Sequence, residues 1–381
     1  MLAQEYLKLG LEEFETLLCT NQIPLDNVYF SDEDKDIVLL SATHINYIQH
    51  FKLLIKHVKS QWNEHRIHFV LMTAIEHSNV EAVSILLASG VNPNMYIRSG
   101  KAIKFPLFLS LEKQSLEIIK LLCAYGADVN IQNSIGQTPL MVSTNLSKGC
   151  PFFNYFLENG ADVHICSTVG TAMKHAISGN SRYQVDRLLE HGVSLYDIDN
   201  DVKGYNALHF SANLGFYELT KYFIEKGISV NSKTKKGMTP LLYVCAYGQV
   251  GIAKYLLSQG ARIELETGDD FTCITNIMSY IDLPLLKTFM DCGLDIKRLS
   301  DKTTLFYIVK NVSVMDFLIA NGYVDINKRC NFRKERYAAM YFTKTTEQLR
   351  LLEKYISDME PELEEEFSTS RLSLLLSSKD T

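Results

Sequence analysis

The sequence lacks both the long apolar run that would indicate a membrane helix and the basic surplus that would indicate nucleic acid. Among its 381 residues, no apolar run reaches the roughly 18 residues that a transmembrane helix needs. The first residues, MLAQEYLKLGLEEFETLL, hold four acidic side chains and no basic segment before an apolar core, which argues against a secretory signal peptide. The net charge is −6, and the best basic cluster, Lys233, Lys235 and Lys236, is short. We therefore expect a cytoplasmic protein that neither inserts into a membrane nor binds nucleic acid.

Residue patterns that bind metals or carry catalysis are also missing. The eight cysteines are scattered, none forms a C-x-x-C pair, and histidines do not cluster with them, so no zinc site is expected. No glycine-rich phosphate loop, H-E-x-x-H or G-x-S-x-G motif occurs. The sequence thus predicts no metal, no cofactor and no catalytic residue. Free cysteines in apolar helical stretches fit a reducing compartment.

What the sequence does contain is a repeat. A glycine closes one helical stretch after another, at spacings of 36, 34, 32, 35, 33, 33 and 29 residues. Self-similarity at such a period is typical of stacked architectures. With 46% apolar residues the chain can bury a substantial core. The closing glycines are Gly90, Gly126, Gly160, Gly192, Gly227, Gly260, Gly293 and Gly322.

Each copy follows one layout. It opens at Thr-Pro-Leu or a variant, where Thr can cap a helix and Pro suits its first turn. A glycine such as Gly215 or Gly248 then turns the chain into a second helix, whose apolar residues recur at helical spacing. The closing glycine is expected in the left-handed C-cap conformation, and the segment after it leads outward as a finger to the next copy. No copy can bury its apolar faces alone, so the copies should stack.

These motifs resemble those of the ankyrin-repeat family. The residues that stand nearly as in the family consensus are Thr138-Pro139-Leu140, Ala207-Leu208-His209, Thr239-Pro240-Leu241 and Gly126-Ala127-Asp128-Val129-Asn130. The resemblance implies an all-α solenoid of about eight to ten helix-turn-helix repeats with short hairpin fingers. It also implies a concave groove, lined by the fingers and the first helices, that binds a protein.

The resemblance suggests how the chain is divided. Residues 66–330 are predicted to form the repeat array, and residues 1–65 degenerate helices that cap its N-terminal end. Residues 331–357 are predicted to be a capping helix pair, because terminal copies need a more polar outer face. Residues 358–381 form an acidic and then Ser- and Leu-rich tail.

The first helices carry the candidate binding residues. Two outward positions, one helical turn apart, are apolar or aromatic in three copies. Apolar patches of this kind mark partner sites; the alternative is that these side chains fill the gaps between adjacent first helices. The candidates are Val142 and Leu146, Phe210 and Leu214, and Tyr243 and Tyr247.

Two neighbouring fingers carry opposite charges and are the second candidate feature. The charged residues are Lys233, Lys235 and Lys236 on one finger, and Glu264, Glu266, Asp269 and Asp270 on the next. Such charges can set the orientation of a partner and its association rate. The alternative is that they are solvated or pair across the fingers, which contributes little.

His209 and Cys245 could suggest an enzyme, because they lie in adjacent copies and a Cys–His pair can form a nucleophilic site. The resemblance implies instead that the histidine at this position ties neighbouring loops together by hydrogen bonds. Cys245 occupies a core position, where a buried thiol is inert. We therefore expect a structural histidine, and a cryptic Cys/His enzyme in atypical copies is the alternative.

The tail carries a further resemblance. Its glutamate cluster, Glu362 and Glu364–Glu366, precedes a small, polar and apolar C-terminus. This order is similar to the translocation signals of type IV-secreted effectors from intracellular bacteria of the Legionella type. It implies an effector that is delivered into the cytosol of a host cell. A eukaryotic or viral adaptor or scaffold is the alternative, although the F-box-like end with a Leu-Pro core of many poxviral ankyrin proteins is absent here.

The sequence therefore predicts a non-catalytic, monomeric interaction module. It would bind a protein partner, a host protein in the effector case, through the groove and the fingers.

Overall fold

The computed structural model describes most of the chain between Tyr6 and Tyr323. The described residues are 6–20, 22–23, 45–58, 64–99, 102–146, 149–196, 198, 205–263, 274, 277–297 and 309–323. They are mostly helical, as the sequence predicts, and they fall into two compact units within residues 1–200 and 201–381. The predicted boundary between array and N-terminal cap stays a prediction. The boundaries after residues 330 and 357 lie outside the described residues, as does the tail.

Unit 1 consists of helix pairs and one small β-hairpin. Its elements are α1 (Leu11–Cys19), a 3-10 turn (Ile45–Tyr47), α2 (Ile48–Val58), α3 (Glu64–Glu76), α4 (Val80–Ala88), β1 (Ile97–Ser99), β2 (Ala102–Lys104), α5 (Pro106–Glu112), α6 (Leu116–Ala124), α7 (Pro139–Ser143), α8 (Gly149–Glu158), α9 (Ala172–Ser178) and α10 (Arg182–Glu190). The helices of a pair contact each other, as α3 does α4 and α5 does α6. The first helices α3, α5, α7 and α9 form one row of contacts, while α1, α2, α4 and α6 form a second row.

One finger of unit 1 is a true β-hairpin. Strands β1 and β2 run antiparallel, with Ile97 opposite Lys104 and Ser99 opposite Ala102. Another described finger has a single antiparallel bridge between Cys166 and Thr171, and others use turn hydrogen bonds. In the finger after Asn130, the Asn133 N–H donates to the Gln137 carbonyl at 3.0 Å. The expected hairpin fingers are therefore present in more than one form.

Unit 2 repeats the same arrangement. Its elements are α11 (Ala207–Leu214), α12 (Tyr217–Glu225), α13 (Pro240–Ala246), α14 (Val250–Ser258), α15 (Leu283–Asp291) and α16 (Val312–Ala320). First helices α11 and α13 contact each other, and α12, α14, α15 and α16 form the row of second helices. One apolar core runs through these helices, with Leu241, Leu256, Phe289 and Leu318 fully or almost fully buried. Burial of apolar surface shared between neighbouring copies is what stabilises the stack.

The helix starts follow from the capping residues that the sequence shows. Thr138 and Thr239 accept hydrogen bonds from the Met141 and Leu242 N–H groups, at 3.4 and 3.3 Å. A proline follows each threonine at the first helical position, where its missing N–H costs nothing. In the atypical copy, Asp282 caps the second helix, α15, and accepts from the Leu285 N–H at 2.8 Å. This second helix therefore begins without the usual turn sequence.

The closing glycines adopt the predicted left-handed conformation in all eight copies. Their φ angles lie between +66° at Gly322 and +104° at Gly293. A Cβ at Gly126 would meet no atom within 4 Å, so backbone conformation alone explains the glycine there. The prediction of a C-cap glycine is confirmed.

An asparagine in the finger joins one copy to the next. The Asn130 side-chain amide donates to the Gly160 carbonyl at 3.2 Å, and its Oδ1 accepts from the Asp162 N–H at 2.8 Å. The same pair of bonds joins Asn94 to Gly126 and Asp128, at 2.8 and 2.7 Å, and Asn231 to Gly260 and Arg262, at 3.0 and 2.8 Å. One side chain therefore satisfies two backbone groups of the following copy.

Replacing Asn130 with alanine removes both bonds of one such junction. We expect the free energy of unfolding to fall by about 1–2 kcal/mol, because two exposed backbone groups turn to water instead. Asn159→Ala is the matched control, since the Asn159 amide donates to Tyr155 within its own copy. Chemical denaturation of both variants checks this, and an equal effect in the two would contradict the role of Asn130.

Candidate functional site

Three large side chains of unit 2 are exposed at the same position of successive copies. Leu214, Tyr247 and Tyr280 are spaced 33 residues apart and are 38%, 64% and 60% exposed. The first two lie where the first helices α11 and α13 end. We call these three residues the exposed row. The sequence predicts Leu214 and Tyr247 as binding residues, while Tyr280 was missed.

Beside the exposed row lies an aromatic cluster. The rings of Tyr205 and Tyr243 meet edge to face at 5.1 Å, and Tyr205 stacks on His209 at 5.6 Å. Phe210 contacts Tyr205 at 6.0 Å. Phe210 and Tyr243 are half-buried. Of the predicted residues, these two therefore contribute to the stack as well as to its surface.

Tyr280 is held in position by its neighbours. Its ring lies over Gly248, where a Cβ would approach the ring to 2.7 Å. Gly248 has φ +67°, so both its conformation and this close approach require glycine. The Lys310 ammonium lies 5.1 Å from the centroid of the same ring. An exposed ring fixed in this way loses little conformational entropy when a partner binds.

The lysine finger projects from a hydrogen-bonded turn. The Gly237 N–H donates to the Thr234 carbonyl at 2.9 Å, and the Thr234 N–H donates to Met238 at 2.9 Å. Lys235 and Lys236 are the two central residues of that turn and are exposed, as is Lys233 before it. The turn therefore presents two adjacent ammonium groups at the fingertip. The predicted acidic residues Glu264, Asp269 and Asp270 lie outside the described residues.

Val142 and Leu146 belong to unit 1, and both are half-buried. Only Val142 lies in a helix, because α7 ends at Ser143. The Ser143 and Thr144 hydroxyls donate to carbonyls three residues back, at 2.6 and 2.7 Å. Such bonds compete with helix continuation. The role of Val142 and Leu146 in binding stays a prediction.

Two fingertips of unit 1 are apolar rather than charged. Ile135 and Val169 occupy two successive tips and are 43% and 46% exposed. The two fingers are joined, because the Thr168 N–H donates to the Ile135 carbonyl at 3.1 Å. Sequence reasoning did not single these residues out, although Ser-Ile-Gly and Thr-Val-Gly stand where the other finger has Lys-Lys-Gly.

His209 is a structural residue. Its Nδ1 accepts from the Asn206 backbone N–H at 3.4 Å, and its Nε2 donates to the Ser232 carbonyl in the next finger at 3.0 Å. Both ring nitrogens are therefore engaged, which leaves none to activate the buried Cys245. Burial lowers the pKa of His209 to about 4, against backbone contacts to Ser232 and Met238 that raise it. The expectation of loop-tying hydrogen bonds is confirmed.

Apart from His209 and Cys245, the described residues give little support for a catalytic or metal-binding site. Cys19 Sγ lies 3.3 Å from His57 Nε2, but both are at the surface of unit 1 without a third group that would orient them. No group of three His, Cys, Asp or Glu side chains in the described ranges could hold a metal ion. None of the helices described there combines the length and apolar character that crossing a bilayer requires.

Comparison with protein families gives two matches. A model described as ankyrin repeats (3 copies) matches residues 145–234 and 172–267, and a model of the single ankyrin repeat matches residues 104–134. These ranges include the copies that carry Phe210, Leu214, Tyr243 and Tyr247. Ankyrin repeats are generally non-catalytic modules for protein–protein interaction.

Among curated proteins, similar sequences are found in fowlpox virus and in human. A putative ankyrin repeat protein of fowlpox virus (strain NVSL) is 30% identical over 132 residues, which cover 34% of this chain and 90% of that protein. A second one is 32% identical over 125 residues, 30% of this chain and 36% of its own length. The human transient receptor potential cation channel subfamily A member 1 is 27% identical over 130 residues, 33% of this chain. The chain spans only 11% of that channel.

Among solved structures, the crystal structure of the ankyrin repeat domain of Bcl-3 is similar. It is 21% identical, with a TM-score of 0.48, and the alignment covers 57% of this chain and 97% of that domain.

The lowered pKa of His209 makes the stability of unit 2 depend on pH. The unfolded histidine titrates near 6.5 and the folded one near 4, so between these values the unfolded chain binds more protons. Stability should therefore be full above about pH 6.5 and fall by roughly 2–3 kcal/mol as the pH drops to 4. Denaturant unfolding of wild type and His209→Gln at several pH values checks this. The stability difference between them should shrink on acidification; parallel curves would contradict the assignment.

Proposed function

We propose that this chain, which belongs to the ankyrin-repeat family, binds a protein partner through the exposed row of unit 2. The single observation that carries this is the alignment of Leu214, Tyr247 and Tyr280 at one position of three copies. Large side chains in register, more than a third exposed, are not needed to fill the core of their own unit. Tyrosine is also among the residues that contribute most to protein interfaces.

The base beneath the row supports this proposal. Tyr205, Phe210 and Tyr243 form a half-buried floor in which the Tyr205 ring contacts the other two, while Tyr247 and Tyr280 occupy equivalent positions of two successive copies. A rigid aromatic floor with exposed rings above it resembles a hot spot and its surround. We place Phe210 and Tyr243 in the floor, and Leu214, Tyr247 and Tyr280 in contact with the partner.

A catalytic role has no comparable support. His209 uses both ring nitrogens in structural bonds, and Cys245 is fully buried. The family is generally a non-catalytic interaction module. We therefore propose that the chain acts by binding alone.

A second proposal concerns whether the chain acts as a bacterial effector or as a viral or eukaryotic adaptor. The bacterial effector that acts on a host protein rests on the composition of residues 358–381, and the relatives named above do not add to it. A viral or eukaryotic adaptor is the other candidate, and it is favoured by the relatives in fowlpox virus and human. Proteins of both kinds would use the same surface of unit 2.

Removing the two exposed rings tests the binding face. The double variant Tyr247→Ala and Tyr280→Ala should lose partner capture, because about 1 kcal/mol or more is lost per interfacial tyrosine. Its melting temperature should stay near that of the wild type, since both rings are mostly exposed. Tyr243→Ala is the comparison, and it should lower the melting temperature because Tyr243 contacts Tyr205 and His209. Affinity capture from the native cell, followed by thermal unfolding, measures both. Undiminished capture by the double variant would contradict the proposal.

The effector proposal has its own test. If residues 358–381 carry a translocation signal, a chain that ends at residue 357 should not be delivered into host cells by a type IV secretion system. A reporter fused to the N-terminus measures delivery. Undiminished delivery would defeat the effector proposal and leave the binding proposal unaffected.

A further inference from the structure

The copy that contains Tyr243 and Tyr247 has an unusual charge. Between Glu225 and Glu264 the sequence contains no acidic residue and six basic ones. This stretch therefore carries a charge of +6 within a chain whose net charge is −6. The six are Lys226, Lys233, Lys235, Lys236, Lys254 and Arg262.

The basic residues divide into two groups. Lys254 on α14 pairs with Asp282 at 2.8 Å, and Lys226 at the end of α12 lies over the Tyr222 ring at 5.3 Å. These two lysines make their contacts within the row of second helices. The others lie on fingers, where Lys235 and Lys236 share one turn and are exposed at its tip. The sequences of α11, α13 and this finger contain no Asp or Glu.

The lysine finger adjoins the aromatic floor. Ser232, next to Lys233, accepts a hydrogen bond from His209 at 3.0 Å. The His209 ring in turn lies 5.9 Å from Tyr243. Asn206 also donates to the Ser232 hydroxyl, at 3.2 Å. The base of the finger is therefore fixed against the start of α11, within two contacts of the tyrosines.

From this arrangement we infer that the bound partner segment is acidic. An extended stretch of a protein, with carboxylates against Lys235 and Lys236 and apolar side chains on Tyr247 and Tyr280, fits both parts of the surface. This inference rests on the proposed binding face and adds the chemistry of its occupant. Complementary charge speeds association and excludes partners of the wrong sign. Apolar contact with the exposed row supplies affinity.

Two features indicate that the acidic part of the partner segment is short. Lys233, Lys235 and Lys236 lie within the finger of residues 228–238, and the sequence places Glu264, Glu266, Asp269 and Asp270 after this copy. A long polyanion would need a continuous basic track, which two neighbouring ammonium groups do not provide. A short acidic stretch beside apolar residues is what the surface accommodates.

Peptide pools test the inference on the full-length chain. Three displayed libraries of about 12 residues share the same apolar positions and differ only in acidic, neutral or basic residues between them. The acidic pool should be enriched. Its best peptide should bind the Lys235→Glu/Lys236→Glu variant about tenfold or more weakly, and its affinity for wild type should fall with rising salt. Fluorescence anisotropy measures both effects.

The matched control is Lys113→Glu/Lys120→Glu. It changes the net charge equally but alters two exposed lysines of unit 1, so binding should stay within about twofold of wild type. Thermal unfolding confirms that each variant is folded. An equal loss in the control would show a general charge effect and overturn the inference.

Other outcomes separate this inference from the binding proposal. If the neutral or basic pool is enriched and binding depends on Tyr247, the binding face stands and the acidic partner is wrong. If no pool depends on Tyr247, both fail. Phosphatidylserine vesicles and a thymidine oligonucleotide complete the set of probes. Binding of either one that is lost with Lys235→Glu/Lys236→Glu, without acidic peptide binding, would assign the finger to that other ligand.

Discussion

The rest of each unit depends on the junctions between successive copies, and a finger asparagine makes three of them. Asn94, Asn130 and Asn231 each bind the carbonyl of the next closing glycine and the N–H two residues later. The left-handed glycine is what brings those two backbone groups into reach of one amide side chain. Without this junction a finger would expose unpaired polar backbone, and the apolar faces of neighbouring helix pairs would lose their register. The same position holds His164 and Tyr196 in the two copies that precede unit 2.

Because backbone groups and buried apolar residues hold the copies together, the outward positions are free to vary. The fingertips show this most clearly, with Ile135 and Val169 in unit 1 and Lys235 and Lys236 in unit 2. The exposed row, Leu214, Tyr247 and Tyr280, is a second set of such outward positions. The binding function of such a fold therefore depends on a few side chains per copy. In unit 2 these side chains combine tyrosines with a local positive charge. That combination, rather than any reactive group, is the specific feature of this chain.

Much of the fold could be predicted from the sequence, because its signals are local. Thr-Pro-Leu marks helix starts, and the spacing of glycines marks helix ends. Tyr280 was missed because its copy lacks Thr-Pro-Leu, although counting 33 residues on from Tyr247 would have found it. The half-buried state of Tyr243 could not be read from the sequence, since it depends on Tyr205 and His209 reaching across from the preceding copy. The sequence gives no clear signal for the apolar fingertips Ile135 and Val169, because single exposed apolar residues are common on protein surfaces.

The central claim is that the exposed row and the lysine finger form one binding face. Hydrogen–deuterium exchange of the full chain, free and saturated with its bound peptide, tests this most directly. Binding is expected to slow amide exchange in residues 205–216, 228–249 and 277–281. Exchange in the second helices α12 and α14 is expected to stay unchanged. Protection concentrated on α12 and α14, or within unit 1 alone, would contradict the claim.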